Sequence, residues 1–551
     1  MNKLCIQTLA TTLFMAFAVQ ILPADDSTVR VFIFGGQSNM VGSDSKAKDI
    51  ANFPRYVGLD QPQPKVLFNY CLGRETKNRS EGWVKLQPVN NIVGPELSFA
   101  RKVTGNIKSP IAIIKVAAGG THLGGDWNPD EPSGFKMYPL AMKVIRESLA
   151  KLEEKGLEYK IEAVMWHQGE NDMFNEDYRK NYGRNLKNFL ACWRRDLKMP
   201  QLPFFIGELC TKTIWGMDLR PRMYDISLGQ KAVTEDDPLA TFVRTSHVGV
   251  EIGRPVGLHY HYGTLGQLQH GENYADAYLK SIDKHVAETK KPLKVWPIQR
   301  GQKVRLFLFA GHRNMEGERA FVQELKELPG GKTWAQDNPK IPYKYSLGGG
   351  FKVSNGWEPL GLTQYYDTFG PELSFAARLD KLENQNFAIA KFTHSGSQII
   401  DWTPEGSMAK SRMLYKKFIE FARTSIRELK ERENQVELSI LYHVGENDMS
   451  FYPYRKDAPK RIESMIEASR KDLGLPHLKW FVSQQSPTDE KGLNRVDVVN
   501  EVAKVLKDDP HAIHIKVDNL PEQKKILVID TPGIIKLGQI LADAVAAKSQ
   551  Q

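Results

Sequence analysis

The 551-residue sequence contains only four cysteines, no low-complexity tract and no run of six like charges. So few cysteines exclude a disulfide-stapled scaffold, and no Cys/His spacing indicates a metal site. With 25% charged and 10% aromatic residues, the composition also excludes a mainly disordered chain. The net charge of +10 is spread along the chain, which favours solubility or weak attraction to anionic glycans over a nucleic-acid partner.

Long apolar runs are absent except at the N-terminus. There, Lys3 precedes an apolar stretch over residues 4–22 that ends in Pro23-Ala24, a pattern typical of a secretory signal peptide. A membrane anchor is the alternative, but polar residues within the stretch weaken it. We therefore predict a signal peptide over residues 1–24, a secreted or periplasmic protein, and no stable membrane span after its removal.

Removal of the signal peptide would take Cys5 with it and leave three cysteines, Cys71, Cys192 and Cys210. An odd number permits at most one disulfide. Two alternatives remain open at this point: Cys192 and Cys210 pair, or they are buried free thiols.

The second half of the chain repeats motifs of the first half in the same order and spacing. The matching pairs are residues 34–42 with 309–317, residues 94–100 with 370–376, and residues 167–173 with 443–449. Ordered self-similarity of this kind indicates an internal duplication. We predict a first domain over residues 25–290, a linker over 291–303 and a second domain over 304–551.

Short β-rich runs alternate with longer amphipathic ones in each copy, which favours a parallel sheet covered by helices. The predicted strands of the first copy are Val29–Phe34, Ile111–Ala117, Glu162–Trp166, Phe204–Glu208 and Thr241–Thr245. This pattern predicts an α/β fold with two flavodoxin-like, three-layer α/β/α domains in tandem. In such folds the site lies at the carboxyl ends of the strands.

Ser38 follows the first predicted strand in a glycine-flanked turn, a position that suits a nucleophile. The alternative is a plain turn or a phosphate cradle. A serine nucleophile needs a base, and His259 is the candidate because it directly precedes the last predicted helix of the first copy. Three other histidines compete with it for this role: His167, His247 and His261.

Four motifs of the first copy together resemble the sialate O-acetylesterase domain of the SGNH-hydrolase superfamily, which includes acetylxylan esterases. They are residues 36–40, residues 94–96, Lys115 with residues 119–121, and residues 166–170. The resemblance covers the whole first copy and, more loosely, the second. It implies a serine hydrolase that removes O-acetyl groups from a sialic acid- or xylan-type glycan, through an acyl-enzyme and without metal or organic cofactor.

Carried over by position, the resemblance makes Ser38 the nucleophile and His259 the base. The oxyanion hole would use the backbone N–H of Ser38, that of Gly119 or Gly120, and the side chain of Gln168. An oxyanion hole matters because acyl transfer develops a negative oxygen, and the loss of one donor costs about 3 kcal/mol.

The first copy departs from the family pattern at Val256, where an aspartate usually stands three residues before the base. We therefore expect a Ser-His dyad or a displaced acid supplied by Glu170 or Glu251, since the orienting carboxylate normally fixes the imidazole tautomer. Glu170 is also a candidate substrate contact. The alternative function is a non-catalytic carbohydrate-binding pseudo-esterase, with aromatic rims at three residues: Trp83, Trp127 and Tyr260.

Two further carboxylates of the motifs have structural interpretations. Glu96 lies in the first turn of a helix predicted to start at Pro95, where a carboxylate favours the helix dipole. Asp172 is predicted to be a loop-fixing carboxylate rather than a substrate contact.

The second copy lacks the residues of the predicted reaction. Arg313 stands at the position of Ser38, Val444 at that of Gln168 and Thr531 opposite His259. A guanidinium stays protonated and offers only donors, so it is no nucleophile. We predict an inactive copy that packs against the first or holds glycan, with Arg313 either in a structural salt bridge or binding an anionic sugar.

Overall fold

The computed structural model describes residues 27–74, 78–210, 213–214, 217–248, 250, 260–283, 290–407, 413–445, 448, 452–485, 498–518, 520 and 528–549. The predicted signal peptide lies outside them. No helix among the described residues is long and apolar enough to cross a membrane. Cys71, Cys192 and Cys210 are free and buried. Cys192 and Cys210 are therefore buried free thiols and do not form a disulfide.

The first copy alternates strands and helices. Its strands are β1 (Val29–Gly36), β2 (Gln63–Leu72), β3 (Asn78–Arg79), β4 (Val84–Leu86), β5 (Ile111–Ala117), β6 (Tyr159–His167), β7 (Phe204–Gly207), β8 (Thr213–Ile214), β9 (Met217–Asp218) and β10 (Ala240–Val243). Its α-helices are α1 (Ser38–Val41), α2 (Glu96–Thr104), α3 (Met137–Glu153), α4 (Glu176–Lys180), α5 (Tyr182–Asp196), α6 (Arg220–Asp236) and α7 (Gly263–Ser281). Three 3₁₀ turns lie at Ala47–Asn52, Pro54–Tyr56 and Asp172–Phe174.

The main sheet of the first copy has the strand order β10-β7-β6-β1-β5-β2-β3, and β4 also pairs with β2. The pairs from β10 to β2 are all parallel, for example Phe34 opposite Lys115 on one side and opposite Met165 on the other. The five predicted strands are β1, β5, β6, β7 and β10, and their spatial order is the flavodoxin-like one. The prediction of the fold class is therefore confirmed.

Strand β2 was not predicted and adds a sixth parallel strand outside β5, with Val66 opposite Ile111. It starts at Gln63-Pro64, and its other side carries only the short antiparallel strands β3 and β4. A proline is tolerated there because it lies at the start of a strand near the edge of the sheet.

Side chains alternate across β1 and supply two cores. Val31 and Ile33 pack with the helices α3, α5 and α6 on one face, whereas Phe32 and Phe34 pack with α2 and α7 on the other. Successive side chains of a strand point to opposite faces, so a strand buried on both sides is apolar throughout. The result is the predicted three-layer α/β/α arrangement.

The second copy repeats this architecture. Its strands are β11 (Lys303–Gly311), β12 (Asn338–Leu347), β13 (Lys352–Val353), β14 (Glu358–Leu360), β15 (Phe387–Thr393), β16 (Gln435–His443), β17 (Lys479–Gln485) and β18 (Ala512–Val517). Its α-helices are α8 (Arg313–Glu316), α9 (Val322–Glu327), α10 (Gly331–Trp334), α11 (Glu372–Leu382), α12 (Leu414–Lys430), α13 (Tyr452–Leu473), α14 (Val498–Leu506) and α15 (Thr531–Ser549). The sheet order, β13-β12-β15-β11-β16-β17-β18, matches that of the first copy strand for strand from β12 to β18.

Candidate active site

Ser38 lies at the carboxyl edge of the first sheet, where β1 turns into the short helix α1. The turn runs between two glycines with positive φ, Gly36 at +149° and Gly42 at +101°. Added at Gly36, a Cβ would collide with the carbonyl of His167 on the neighbouring strand. Ser38 is only 6% exposed, and its hydroxyl has no hydrogen-bond partner in the described part of the chain. A buried polar group without a partner calls for an explanation, and a nucleophile is one.

Gly119 follows β5 and lies directly beside Ser38. A Cβ built on Gly119 would be 3.4 Å from the Ser38 Cβ, so the glycine leaves room next to the serine. Arg74 Nε donates to the Gly119 carbonyl over 2.7 Å. Since the peptide is planar and trans, the N–H of Gly120 points away from the Arg74 side. Gly120 has a φ of +73°, which favours glycine.

Gln168 follows β6 and binds the residues around Ser38. Its Nε2 lies within donating distance of Gln37 Oε1 (3.1 Å), the Thr121 carbonyl (3.0 Å) and Asp172 Oδ2 (2.5 Å). An amide group has two donors, so protein acceptors already engage this side chain. The structure thus brings Gln168 next to Gln37, the residue before Ser38, and its part in an oxyanion hole stays a prediction.

Asp172 fixes the loop after β5, as predicted. Its carboxylate accepts from the backbone N–H groups of Leu123 (2.9 Å) and Gly124 (3.0 Å) as well as from Gln168. Burial raises the pKa of Asp172 above its usual range, and these three donors offset part of that effect. The carboxylate therefore ties the Gly119 loop to the strand end that carries Gln168.

Glu170 is fully buried and supports Asn39, the residue after Ser38. Its Oε1 accepts from Asn39 Nδ2 over 2.6 Å and lies 3.0 Å from His167 Nε2. Burial acts to raise its pKa, but His167 and Asn39 outweigh burial and hold the pKa below its usual range. Both contacts are made by Oε1, and they tie Glu170 to His167 and Asn39.

Asn39 in turn holds the chain that follows His259. Its Oδ1 accepts from the backbone N–H of Tyr262 over 3.2 Å, and its Nδ2 lies 3.4 Å from the carbonyl of Tyr260. The motif around Ser38 includes Asn39, yet sequence reasoning assigned it no role. The residue after the candidate nucleophile thus binds the chain at Tyr260 and Tyr262.

His259 and Glu251 lie outside the described residues, as does Val256. The three competing histidines are described, and each has its own partner. His167 contacts Glu170, His247 Nε2 lies 2.8 Å from the hydroxyl of Tyr366 in the second copy, and His261 Nδ1 lies 2.6 Å from Asp44 Oδ2. His261 and Asp44 form a histidine-carboxylate pair like that of a catalytic triad, so experiments on the base must include a His261 variant as a control.

The predicted aromatic rim is wrong for Trp127. Trp127 is fully buried in the core, and its Nε1 donates to Thr121 Oγ1 over 3.0 Å. Trp83 packs against the same core and donates to the carbonyl of Ser148 in α3. Burial of Trp127 removes one of the three side chains on which a glycan-binding rim depended, whereas Trp83 is only partly buried.

The glutamate of the motif that is identical in the two copies forms a buried ion pair in each. Lys115 Nζ lies 2.7 Å from Glu96 Oε2, and both side chains are nearly inaccessible. Lys391 and Glu372 form the same pair at 2.8 Å in the second copy. Glu96 lies in the first turn of α2 as predicted, but its partner Lys115 was missed. Lys115 also lies 3.2 Å from the carbonyl of Val41, the last residue of α1.

The family model described as carbohydrate esterase, sialic acid-specific acetylesterase matches the sequence twice, over residues 28–280 and 303–547. The chain belongs to this family. A probable carbohydrate esterase of Arabidopsis thaliana is 26% identical over 265 residues, which is 46% of this chain and 91% of that protein.

Two solved structures are each similar to about half of this carbohydrate esterase chain. The crystal structure of NanS has a TM-score of 0.36 at 17% identity and covers 47% of this chain and 99% of its own. A carbohydrate acetylesterase from Xanthomonas citri has a TM-score of 0.34 at 14% identity, with 48% of this chain and 59% of that chain covered.

The second esterase-family domain keeps the scaffold of the first. Arg313 starts α8 between Gly311 (φ +145°) and Gly317 (φ +90°), which is the place of Ser38 in α1. Asn314 Oδ1 accepts from the N–H of Ile529 just before α15, as Asn39 accepts from Tyr262. Asp448 accepts from the N–H of Ile399, as Asp172 does from Leu123.

The residues at the nucleophile and base positions differ between the two domains. Arg313 is 2% exposed, lies 3.6 Å from Glu318 and donates to the carbonyl of Val250 in the first domain over 2.6 Å. These contacts match the first of the two predictions for Arg313, a structural salt bridge, rather than binding of an anionic sugar. Thr531 is the first residue of α15, and its hydroxyl accepts from the N–H of Phe321.

Proposed function

We propose that the first domain is a serine esterase that removes O-acetyl groups from a sialic acid- or xylan-type glycan outside the cytoplasm. The observation that carries the proposal is that the hydroxyl of Ser38, at the carboxyl edge of the sheet beside Gly119, has no hydrogen-bond partner among the described residues. Membership of the carbohydrate esterase family supports it. The aromatic rim on which the binding-only alternative depended loses Trp127, which is buried in the core.

In the proposed reaction His259 takes the proton of the Ser38 hydroxyl as the oxygen attacks the acetyl carbon. The sugar hydroxyl leaves with that proton, and an acetyl-serine remains. Water, deprotonated by the same histidine, then attacks the acetyl-serine and releases acetate, while Ser38 regains its proton. The carbonyl oxygen becomes negative in both steps and is stabilised by N–H donors.

The backbone suits that stabilisation. The first N–H groups of a helix have no partner within the helix, and Ser38 is the first residue of α1. We assign the second donor to the Gly119–Gly120 peptides, whose orientation Arg74 fixes. Gln168 acts mainly by holding this loop, since its amide already binds Thr121 and Asp172.

We do not assign Glu170 as the carboxylate that orients His259, because it is buried against His167 and Asn39. We propose a Ser38-His259 dyad or a triad completed by Glu251. Glu170 contributes indirectly, since Asn39 holds the chain at residues 260–262.

The test is hydrolysis of para-nitrophenyl acetate and of acetylated glycans by the mature protein and its variants. Ser38→Ala and His259→Ala should both fall to background, because the nucleophile and its base act as a unit. His261→Ala is the matched control and should retain activity. If His261→Ala is inactive and His259→Ala is active, His261 with Asp44 is the base. If Ser38→Ala is as active as the wild type, the serine mechanism is wrong.

We propose that the second domain does not hydrolyse esters. Arg313 fills the nucleophile position and stays protonated at neutral pH. The residual activity of Ser38→Ala measures this directly, because an active second domain would survive that substitution.

A further inference from the structure

An exposed arginine lies on the loop beside the candidate nucleophile. Arg74 is exposed, and its Nε donates to the carbonyl of Gly119 over 2.7 Å. A Cβ added at Gly120 would collide with Nη2 of Arg74, so the guanidinium lies against the backbone of Gly120. A Cβ on Gly119 would in turn be 3.4 Å from the Ser38 Cβ. One short glycine loop therefore separates the guanidinium from the nucleophile.

The backbone that leads to Arg74 is fixed by the sheet. Strands β2 and β5 pair in parallel up to Leu72 opposite Ala117. The N–H of Gly73 then donates to the carbonyl of Ala117 over 2.9 Å. Gly73 has a φ of +96°, a conformation that favours glycine. Arg74 thus extends from the carboxyl edge of the sheet, the edge at which Ser38 lies.

The charge of Arg74 is not paired with a carboxylate in the described part of the chain. Asp126 lies further along the Gly119 loop, but its carboxylate is engaged elsewhere. It accepts from the backbone N–H groups of His122 (2.8 Å) and Phe135 (2.7 Å). A guanidinium has five N–H donors and stays charged. Since Nε binds the Gly119 carbonyl, the Nη groups remain available to a ligand.

Phe135 gives the same surface an aromatic face. Its side chain is 40% exposed, and Arg74 Cζ lies 5.1 Å from the centroid of its ring. An aromatic face attracts a guanidinium and holds its plane, while the N–H edge stays open. Phe135 was not among the aromatic residues named from the sequence. The loop beside Ser38 therefore carries an exposed ring and a charged donor together.

We propose that Arg74 and Phe135 form a subsite for a negatively charged group, a carboxylate or a sulfate, on the sugar that carries the acetyl ester. The guanidinium binds the anion through its Nη groups, because this planar fork matches the oxygens of such anions. The ring contacts the apolar face of the sugar. The proposal rests on the proposed esterase function of Ser38 and narrows its substrates to acidic glycans, in preference to neutral ones of the xylan type.

Arg74→Gln tests the subsite, because glutamine Nε2 stands where arginine has Nε and can still donate to Gly119. The substrates are an O-acetylated sialic acid, an O-acetylated sulfated oligosaccharide, a neutral acetylated xylo-oligosaccharide and para-nitrophenyl acetate. The wild type should have a higher kcat/KM for one of the anionic sugars than for the neutral one. Arg74→Gln should lower that kcat/KM by about tenfold to a hundredfold, as expected for the loss of a hydrogen bond to a charged group. The two uncharged substrates should change little.

Arg79→Gln is the matched control, since exposed Arg79 pairs with Glu147 of α3, and it should behave as the wild type. The carboxylate and sulfate substrates distinguish the two anions. If Arg74→Gln slows all four substrates by the same factor, the arginine acts only on the Gly119 loop and the subsite is wrong. Equal kcat/KM values of the wild type for anionic and neutral sugars also overturn it.

Binding separates the subsite from the reaction. Calorimetric titration of Ser38→Ala with the two anionic substrates should show binding of the preferred one, weakened by about tenfold or more in Ser38→Ala combined with Arg74→Gln. If this difference is found but the wild type hydrolyses none of the esters, the esterase function has failed and the anion subsite stands. If the esters are hydrolysed but binding is the same in both variants, the subsite is wrong and the esterase function stands.

Discussion

Loss of the charge at Lys115 should destabilise the first domain strongly. Lys115→Met keeps the length and apolar stem of the side chain but leaves Glu96 buried without its cation. The Nζ–Oε2 distance is 2.7 Å, and the two side chains are 1% and 3% exposed. Burial lowers the pKa of Lys115, although Glu96 opposes this effect.

The magnitude follows from the geometry. Two unit charges 2.7 Å apart attract each other by about 6 kcal/mol at an effective dielectric constant of about 20. Removal of one partner from a buried pair costs about 3–5 kcal/mol, because the other charge is left without compensation. Since Lys115 also contacts the carbonyl of Val41 at the end of α1, we expect esterase activity to fall along with stability.

Urea unfolding followed by tryptophan fluorescence measures the effect, and two comparisons control it. Lys391→Met should cost a similar amount in the second domain, where Lys391 forms the same pair with Glu372. Glu96→Leu combined with Lys115→Met should recover most of the lost stability, because an apolar pair often replaces a buried ion pair without loss. A loss below about 1 kcal/mol in Lys115→Met would refute the reasoning, since that is the range of exposed pairs.

Two further predictions concern single sites. Burial raises the pKa of Asp448 to about 7, so the folded state binds the carboxyl proton more tightly than the unfolded state does. The free energy of unfolding should therefore fall by up to about 4 kcal/mol as the pH rises from about 4 to about 7. Asp448→Asn should remove that fall in thermal unfolding scans, and an unchanged pH profile in this variant would contradict the prediction. At Gly119, beside Ser38, alanine should be tolerated because its Cβ makes ordinary contact; valine should lower kcat/KM for an acetyl ester by about tenfold or more, and wild-type activity in the valine variant would show that the space beside Ser38 is not used.

The main sheet of each domain was largely predictable because its signals are local. Apolar runs such as Val29–Phe34 bury both faces of a parallel strand, and the ordered repetition of motifs defined the duplication. Strand β2 was missed because it begins with Gln63-Pro64 and lies near the edge of the sheet, where the pattern is weaker.

Part of the candidate site was also predictable. The Ser38 turn, the Gly119 loop and the role of Asp172 were identified from motifs. The ion pair between Glu96 and Lys115 was missed, because it joins a helix to a strand and leaves no periodic signal.

Contacts between the domains could not be predicted from the sequence, because they also leave no periodic signal. The contact of Arg313 with Val250 depends on how two whole domains pack. The burial of Trp127 was missed as well, because an indole in a loop motif looks alike whether it lines a rim or fills a core.

Ser38 and Arg313 occupy the same turn in the two domains but make different contacts. This difference limits which substitutions position 313 can accept. Restoring a serine at 313 would rebuild the start of a second nucleophile but remove the donor to Val250. A gain of chemistry in one half would then loosen the other half. Through this contact a substitution at position 313 of one half also changes a buried hydrogen bond of the other half.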